Sequence, residues 1–132
     1  MKESCILLDT NVIVALLDGK DSLHSQAVKL IKEAGEGRFC ILEQIIAETY
    51  SVIVRRCRER GYSCREAIEK VRKVEERCIL IHVDFNKYHG RILEALKEKP
   101  ELNYNDWLLV LYSKENKLKL LSLDKKVLKE LS

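Results

Sequence analysis

The sequence predicts an α/β domain in three layers, with helices on both faces of a central parallel sheet of four to five strands. Three observations lead to this prediction. Short apolar runs of strand length recur along the chain, pairs of helical patterns separate them, and the strand runs are apolar throughout rather than alternating. Continuous apolar runs are typical of strands that are buried on both faces, as in parallel sheets.

The predicted elements follow a strand–helix–helix order that repeats three times and closes with a strand and a helix. In chain order they are strand 6–8, helix 12–17, helix 23–34, strand 39–42, helix 43–60, a helix starting at 64, strand 79–83, a helix through 96, helix 106–112, strand 118–123 and helix 125–131.

Turn and capping residues justify several of these boundaries. Ser22 is expected to cap the second helix, which Gly35 and Gly37 end. Ser63, with Glu66 three residues later, has the pattern of a capping box. Either Asp84 or Asn86 starts the fifth helix, and Lys99-Pro100 breaks the chain before the sixth.

Length and composition limit the classes of function that this chain can have. A chain of 132 residues with 46% apolar residues is expected to form one domain, residues 1–132, with a full core. Lys and Arg number 24 against 21 Asp and Glu, a mildly basic balance that permits nucleic-acid binding without requiring it. The start of the chain has no signal-peptide pattern and no apolar run is long enough to span a membrane, so we expect a cytoplasmic protein without membrane contact.

The five cysteines are odd in number and form no Cys-x-x-Cys pair. Most lie in apolar runs, where a free cysteine behaves as a small hydrophobic residue, so we expect free thiols, a reducing compartment and no zinc. A bond between Cys57 and Cys64 is the alternative, which matters if the source is a hyperthermophile.

Four acids lie where the predicted fold could bring them together, although most have an ordinary explanation. Asp9 and Asp124 follow strands and precede helices, as N-caps do. Asp106 stands three residues after Asn103, which suits a capping box or the helix dipole. Glu48 is different, because it lies in mid-helix on an apolar stripe, where an ionised carboxylate is costly unless it is paired or bound to a metal.

Taken together, the four acids predict a metal site. The carboxyl ends of parallel strands are where such sheets bind ligands, and four carboxylates in one pocket repel one another unless cations are present. Oxygen ligands without His or Cys suit Mg²⁺ or Mn²⁺, which act on phosphates. The chemistry that follows is hydrolysis of phosphodiester bonds.

These segments resemble the PIN domain, a family of metal-dependent ribonucleases that includes the VapC-type toxins of toxin–antitoxin pairs. The resemblance covers residues 6 to about 128. Its motifs are Leu7-Leu8-Asp9-Thr10-Asn11 after the first strand, Ala47-Glu48 on a helix, Tyr104-Asn105-Asp106 at a helix start, and Leu121-Ser122-Leu123-Asp124 in the closing strand.

The resemblance implies roles for these residues. Asp9, Glu48, Asp106 and Asp124 would be the catalytic ligands of Mg²⁺ or Mn²⁺. Either Thr10 or Asn11 would orient the first acid, and Ser122 would support the fourth. The implied protein is an endoribonuclease with an RNA substrate, a homodimer, and a toxin with a small antitoxin as its partner.

Other features are weaker. Arg55 and Arg56 lie two turns from Glu48 and are candidates for contact with RNA phosphates, although a solvated helix face also explains them. His24, His82 and His89 are isolated and are expected to be structural or surface residues, with His82 inside a strand.

Two other classes of function remain open. A non-catalytic PIN module that binds RNA or protein would not need four acids. An aspartate-dependent phosphotransfer domain fits poorly, because such a phosphatase has a second acid two residues after the first, where this chain has Asn11.

Overall fold

The computed structural model describes residues 5–35 and 37–132. In chain order its elements are β1 (Cys5–Leu8), α1 (Thr10–Leu17), α2 (His24–Glu33), β2 (Arg38–Leu42), α3 (Glu43–Arg60), α4 (Cys64–Arg77), β3 (Ile79–Ile81), α5 (Phe85–Glu98), α6 (Tyr104–Asn116), β4 (Lys119–Leu121) and α7 (Lys125–Leu131). The predicted order of strands and helices is confirmed.

The four strands form one parallel sheet in the order β3-β2-β1-β4. Connections from β1 to β2 and from β2 to β3 run in one direction across the sheet, and the connection from β3 to β4 runs back. Because such crossovers are right-handed, opposite directions place the connecting helices on opposite faces. The result is the predicted three-layer α/β fold.

The sheet core is apolar and tightly enclosed. Leu7, Ile41 and Leu42 on the central strands are at most 1% exposed, and so are Ile45 of α3 and Leu109 of α6. Burying such side chains contributes about 1.5–3 kcal/mol each relative to leaving them exposed. The strand ends that carry the polar residues are therefore held on a rigid base.

Caps fix the starts of the helices that border the carboxyl edge of the sheet. In α6, Asn103 accepts a hydrogen bond from the Asp106 amide, and the Asp106 carboxylate accepts one from the Asn103 amide, which completes a capping box. Asp124 caps α7 and Asp84 caps α5. The Ser63 cap of α4 is also confirmed.

Two local predictions are wrong. Ser22 does not cap α2, because the helix begins at His24 and the Asp21 carboxylate accepts the amide of Leu23 instead. His82 lies outside its strand, since β3 ends at Ile81. Its ring nitrogen Nδ1 lies 2.9 Å from Oε2 of Glu43.

The prediction of five free thiols is also wrong. Cys5 and Cys40 are joined by a disulfide between β1 and β2, and Cys57 and Cys64 are free. The parallel register places Cys5 opposite Arg38 and Leu7 opposite Cys40, which brings the two cysteine Cα atoms within 5.8 Å. A register of this kind cannot be read from the spacing of the cysteines in the sequence.

Within residues 5–35 and 37–132, no helix is both long enough and apolar enough to cross a membrane.

Candidate active site

Asp9 lies at the carboxyl end of β1, in the crevice where the direction of the connections changes. Its amide donates a hydrogen bond to the carbonyl of Leu121, which continues the pairing of Leu8 with Leu121 one step beyond the strands. Parallel α/β sheets bind ligands in such a crevice. Asp9 occupies the N-cap position of α1 but its side chain makes no capping hydrogen bond, so capping does not explain this acid.

A small polar network fixes the Asp9 carboxylate. Ser122 Oγ donates to Asp9 Oδ2 at 2.8 Å, and Asn11 Nδ2 donates to the same oxygen at 3.2 Å. Asn11 Oδ1 accepts the amide of Leu123 at 3.0 Å, and Ser122 Oγ accepts the amide of Asp124 at 3.1 Å. Asn11 and Ser122 therefore hold β1 against the segment after β4 and give Asp9 one defined orientation.

Asp9 is an unusual acid because it is only 4% exposed. Burial raises its pKa from the usual 3.8 to about 6, the hydrogen bond from Ser122 opposes that rise, and the charges of Asp106 and Glu48 add to it. Burial disfavours the charged form, and neighbouring negative charges act in the same direction. A cation in the crevice would reverse both effects.

Glu48 lies in mid-helix in α3 and is half-buried, as its place on the apolar stripe predicts. Its Oε2 accepts a 2.6 Å hydrogen bond from Nδ2 of Asn105, in the first turn of α6. This bond links α3 to α6 across the crevice and aims the carboxylate at the start of α6.

Asp106 and Asp124 perform the capping roles that their positions predict, and they lie near enough for the charge of Asp124 to act on Asp106. Burial raises the pKa of Asp106, the backbone hydrogen bond from Asn103 opposes this, and the charges of Asp124 and Glu48 raise it further. A carboxylate has two oxygens and about four lone-pair sites, so a capping bond does not exhaust its capacity as a ligand.

The four carboxylates are thus coupled electrostatically. The charges of Asp106 and Glu48 raise the pKa of Asp9, and the charges of Asp124 and Glu48 raise the pKa of Asp106. Among the described residues, however, no three or more His, Cys, Asp or Glu side chains come close enough to form a complete metal-binding group. The donor set nevertheless fits Mg²⁺, which usually keeps several waters and takes only one or two carboxylates directly.

The two residues after Asp9 have different roles. Asn11 orients the carboxylate as described, whereas the side chain of Thr10 points to α3. Thr10 Oγ1 lies 3.4 Å from the carbonyl oxygen of Ile45 and from Oγ1 of Thr49. Only the amide of Thr10 acts on Asp9, where its hydrogen bond lowers the carboxyl pKa.

The two arginines considered for RNA contact differ in their surroundings. Arg56 pairs with Asp21 at 2.6 Å and with Asp18 at 3.3 Å, which ties α3 to the turn after α1. Arg55 is exposed. The charge of Arg56 is therefore largely balanced within the protein.

Sequence reasoning gave no separate role to Asn105. Its side-chain amide donates to Glu48 and so ties that acid to the helical turn that carries Asp106. The available signal was its position directly before Asp106, in a first helical turn where short polar residues usually cap their own helix. Nothing in the sequence indicates that this side chain reaches another helix instead.

Comparisons with known proteins agree with this architecture. The family model for the PIN domain matches residues 6–132, and the chain belongs to that family. No functionally curated protein matches it in sequence.

Three solved structures share the fold at low sequence identity. The Mycobacterium tuberculosis toxin VapC20, described as cleaving the sarcin-ricin loop, is 17% identical with a TM-score of 0.75, covering 94% of this chain and 93% of that one. PAE2754 of Pyrobaculum aerophilum is 16% identical with a TM-score of 0.69, covering 96% and 79%. VapBC2 of Rickettsia felis, solved with a DNA fragment from its promoter, is 16% identical with a TM-score of 0.67, covering 95% and 92%.

Proposed function

We propose that this PIN-domain protein is an endoribonuclease that depends on Mg²⁺ or Mn²⁺ and hydrolyses RNA phosphodiester bonds. The observation that carries the proposal is Asp9, a buried carboxylate held by Asn11 and Ser122 and coupled to two further acids at the carboxyl edge of the sheet. Keeping a buried acid among other acids destabilises the empty protein, so a purely structural role does not account for the arrangement.

Within this proposal, Asp9, Glu48, Asp106 and Asp124 hold the metal, directly or through its waters. A bound divalent ion would supply an activated water and stabilise the charge that develops on the phosphate. The protein's own contribution is orientation. Ser122 and Asn11 fix the Asp9 carboxylate, and Asn105 fixes that of Glu48, so the ligands need little rearrangement when the ion and RNA bind.

The same proposal extends to the biological setting. VapC20 and VapBC2, which share this fold, are by their descriptions a toxin and a member of a VapBC pair. We therefore propose that this chain is the toxin of such a pair, inhibited by a small antitoxin and acting as a homodimer. Co-expression with the product of the adjacent gene, followed by size-exclusion chromatography, tests both assemblies.

Glu48 gives the direct test of the enzymatic proposal. We expect Glu48→Gln to reduce metal-dependent cleavage of a single-stranded RNA by at least about 10-fold, because a neutral amide cannot neutralise a divalent cation. EDTA should abolish cleavage by the wild type. Glu59→Gln is the matched control, since Glu59 is an exposed residue of the same helix.

Equal rates of RNA cleavage by Glu48→Gln and by the wild type would refute the assignment of Glu48 to the active site. An absence of RNA cleavage by the wild type in both Mg²⁺ and Mn²⁺ would instead favour the non-catalytic binding module.

Divalent ions should also stabilise the folded protein. At a concentration about 100-fold above the dissociation constant, binding adds about 2.7 kcal/mol, which corresponds to roughly 5–10 °C in a domain of this size. Differential scanning fluorimetry at pH 7.5, with KCl at matched ionic strength as control, measures this shift. An unchanged melting temperature with both ions would contradict a shared carboxylate pocket.

A further inference from the structure

Three aromatic rings form a continuous row between α5 and the start of α6. Phe85 stacks on His89, with ring centroids 4.4 Å apart and ring planes inclined by 23°. The His89 ring lies 5.9 Å from that of Tyr104, and His89 Nδ1 is 3.0 Å from the Tyr104 hydroxyl oxygen. We call Phe85, His89 and Tyr104 the ring row.

One end of the ring row directly precedes two residues of the candidate active site in the sequence. Tyr104 directly precedes Asn105, the residue that binds Glu48, and stands two positions before Asp106. Both Asn105 and Asp106 belong to the first turn of α6, so the Tyr104 ring starts from the same helical turn as two members of the candidate active site.

The other end of the ring row, Phe85, begins α5 four residues after the carboxyl end of β3. The strands are parallel, so the end of β3 at Ile81 faces the same way as the end of β1. The short connection from β3 to α5 is anchored there, because the amide of Val83 donates a 3.0 Å hydrogen bond to Glu43, the first residue of α3. Phe85 follows two residues later and begins α5.

Phe85 is 53% exposed, the most exposed large apolar side chain in the described part of the chain. The start of α5 does not explain its presence. Asp84 already caps the helix, and Val83 and Tyr88, which stand where a hydrophobic staple would, are buried. The ring is therefore supported from one side by His89 and presents much of its surface to solvent.

We propose that the ring row is a stacking platform for an unpaired base of the nucleic-acid substrate, with Phe85 as the residue that contacts the base. This inference rests on the proposed function and adds to it a residue that contacts the RNA substrate. Every base has a π face, so stacking on an aromatic ring tolerates any sequence, whereas bases inside a duplex already stack on one another. His89 is a positioning residue that supports the Phe85 ring, and Tyr104 in turn holds His89.

The test compares three substitutions at Phe85 on a short single-stranded RNA. Stacking on one aromatic ring corresponds to about a 5- to 150-fold effect on affinity. We expect Phe85→Ala and Phe85→Leu to raise KM by about 10-fold with a smaller change in kcat, and Phe85→Trp to restore it. Phe85→Leu separates aromatic stacking from simple apolar contact.

Tyr62→Ala is the matched control. Tyr62 is an aromatic residue of similar exposure, 46%, that follows the far end of α3. An 18-residue helix is about 27 Å long, so this ring lies well away from the carboxyl edge where α3 begins. The substitution should leave KM unchanged.

A binding readout separates this inference from the nuclease proposal. Fluorescence anisotropy in the Glu48→Gln background measures affinity for the same RNA, for the RNA with single abasic positions, and for its duplex. We expect Phe85→Ala to bind the intact single strand more weakly than its parent does. The two proteins should bind equally when the RNA lacks the base at one particular position, and they should bind the duplex equally. This result would support the platform even if no cleavage occurs. Equal binding by Phe85→Ala and its parent, or no binding by either, would overturn the platform even if the wild type cleaves RNA.

Discussion

Replacing Asp9 with asparagine should abolish RNA cleavage and, in the absence of metal, make the protein more stable. Loss of a residue that merely orients a metal ligand usually reduces activity 10- to 100-fold, so loss of the ligand itself should reduce it by at least about 100-fold. The stability gain has a separate cause. Burial and the charges of Asp106 and Glu48 raise the Asp9 pKa to about 6, so the ionised carboxylate destabilises the empty fold at neutral pH.

The sign of the pH dependence follows from linkage. Between about pH 4 and pH 6 the folded protein binds the Asp9 proton more tightly than the unfolded chain does, so the free energy of unfolding falls as the pH rises through this window. The full penalty corresponds to about 3 kcal/mol. We expect the free energy of unfolding of Asp9→Asn to exceed that of the wild type by about 1–2 kcal/mol at pH 7.5 in EDTA, since the amide keeps only part of the hydrogen bonding. At pH 4 this advantage should be lost, because Asp9 of the folded wild type is then protonated.

Urea unfolding at the two pH values, with EDTA and then with Mg²⁺, measures these differences. Asp84→Asn is the control, because Asp84 is exposed and asparagine caps a helix as well as aspartate does. Saturating Mg²⁺ should stabilise the wild type and leave Asp9→Asn nearly unchanged. A variant that is less stable than wild type at pH 7.5 in EDTA would show that Asp9 is a structural acid.

Reduction of the Cys5–Cys40 disulfide should give the second large effect. The bond links residues 35 apart in sequence, and closing a loop of that length in the unfolded chain stabilises the native state by about 4 kcal/mol in the chain-entropy model. The unfolding midpoint in urea should therefore fall when dithiothreitol is present. Reduction has an advantage over mutation, because it leaves no cavity at Cys40, which is fully buried.

Counting thiols provides an independent check. Denatured, unreduced protein should show three reactive thiols, those of Cys57, Cys64 and Cys78, out of five cysteines. The double variant Cys5→Ala/Cys40→Ala should unfold at the same urea concentration with and without reductant. Five reactive thiols in unreduced protein would contradict the bond.

Local sequence determined the element order and much of the candidate site. Apolar runs located all four strands, and the Asn103 and Asp106 pair predicted the capping box that starts α6. Glu48 stands out in the sequence because an acid on an apolar helical stripe is costly unless it is paired or bound to a metal. These signals are visible because strand burial, helix periodicity and capping each depend on residues that are close together in the chain.

The contacts between segments that are distant in the sequence were determined by the tertiary structure. The Cys5–Cys40 bond depends on strand register. Thr10 and Asn11 have different roles because the Thr10 side chain contacts α3 and the Asn11 side chain binds the segment after β4. The reach of Asn105 to Glu48 and the stacking of Phe85 on His89 depend on how helices pack.

By itself, the sequence therefore determined the fold class and the four acids that the PIN-domain motifs carry. Only the folded chain decided that Asp9 is buried with a raised pKa, which residues orient it, and that the exposed ring of Phe85 stacks on His89. The physical reason is that burial, strand register, hydrogen bonding and charge coupling depend on residues that are far apart in the chain. Asp9 and Ser122, for example, are 113 positions apart. No local sequence pattern indicates which distant residues will meet.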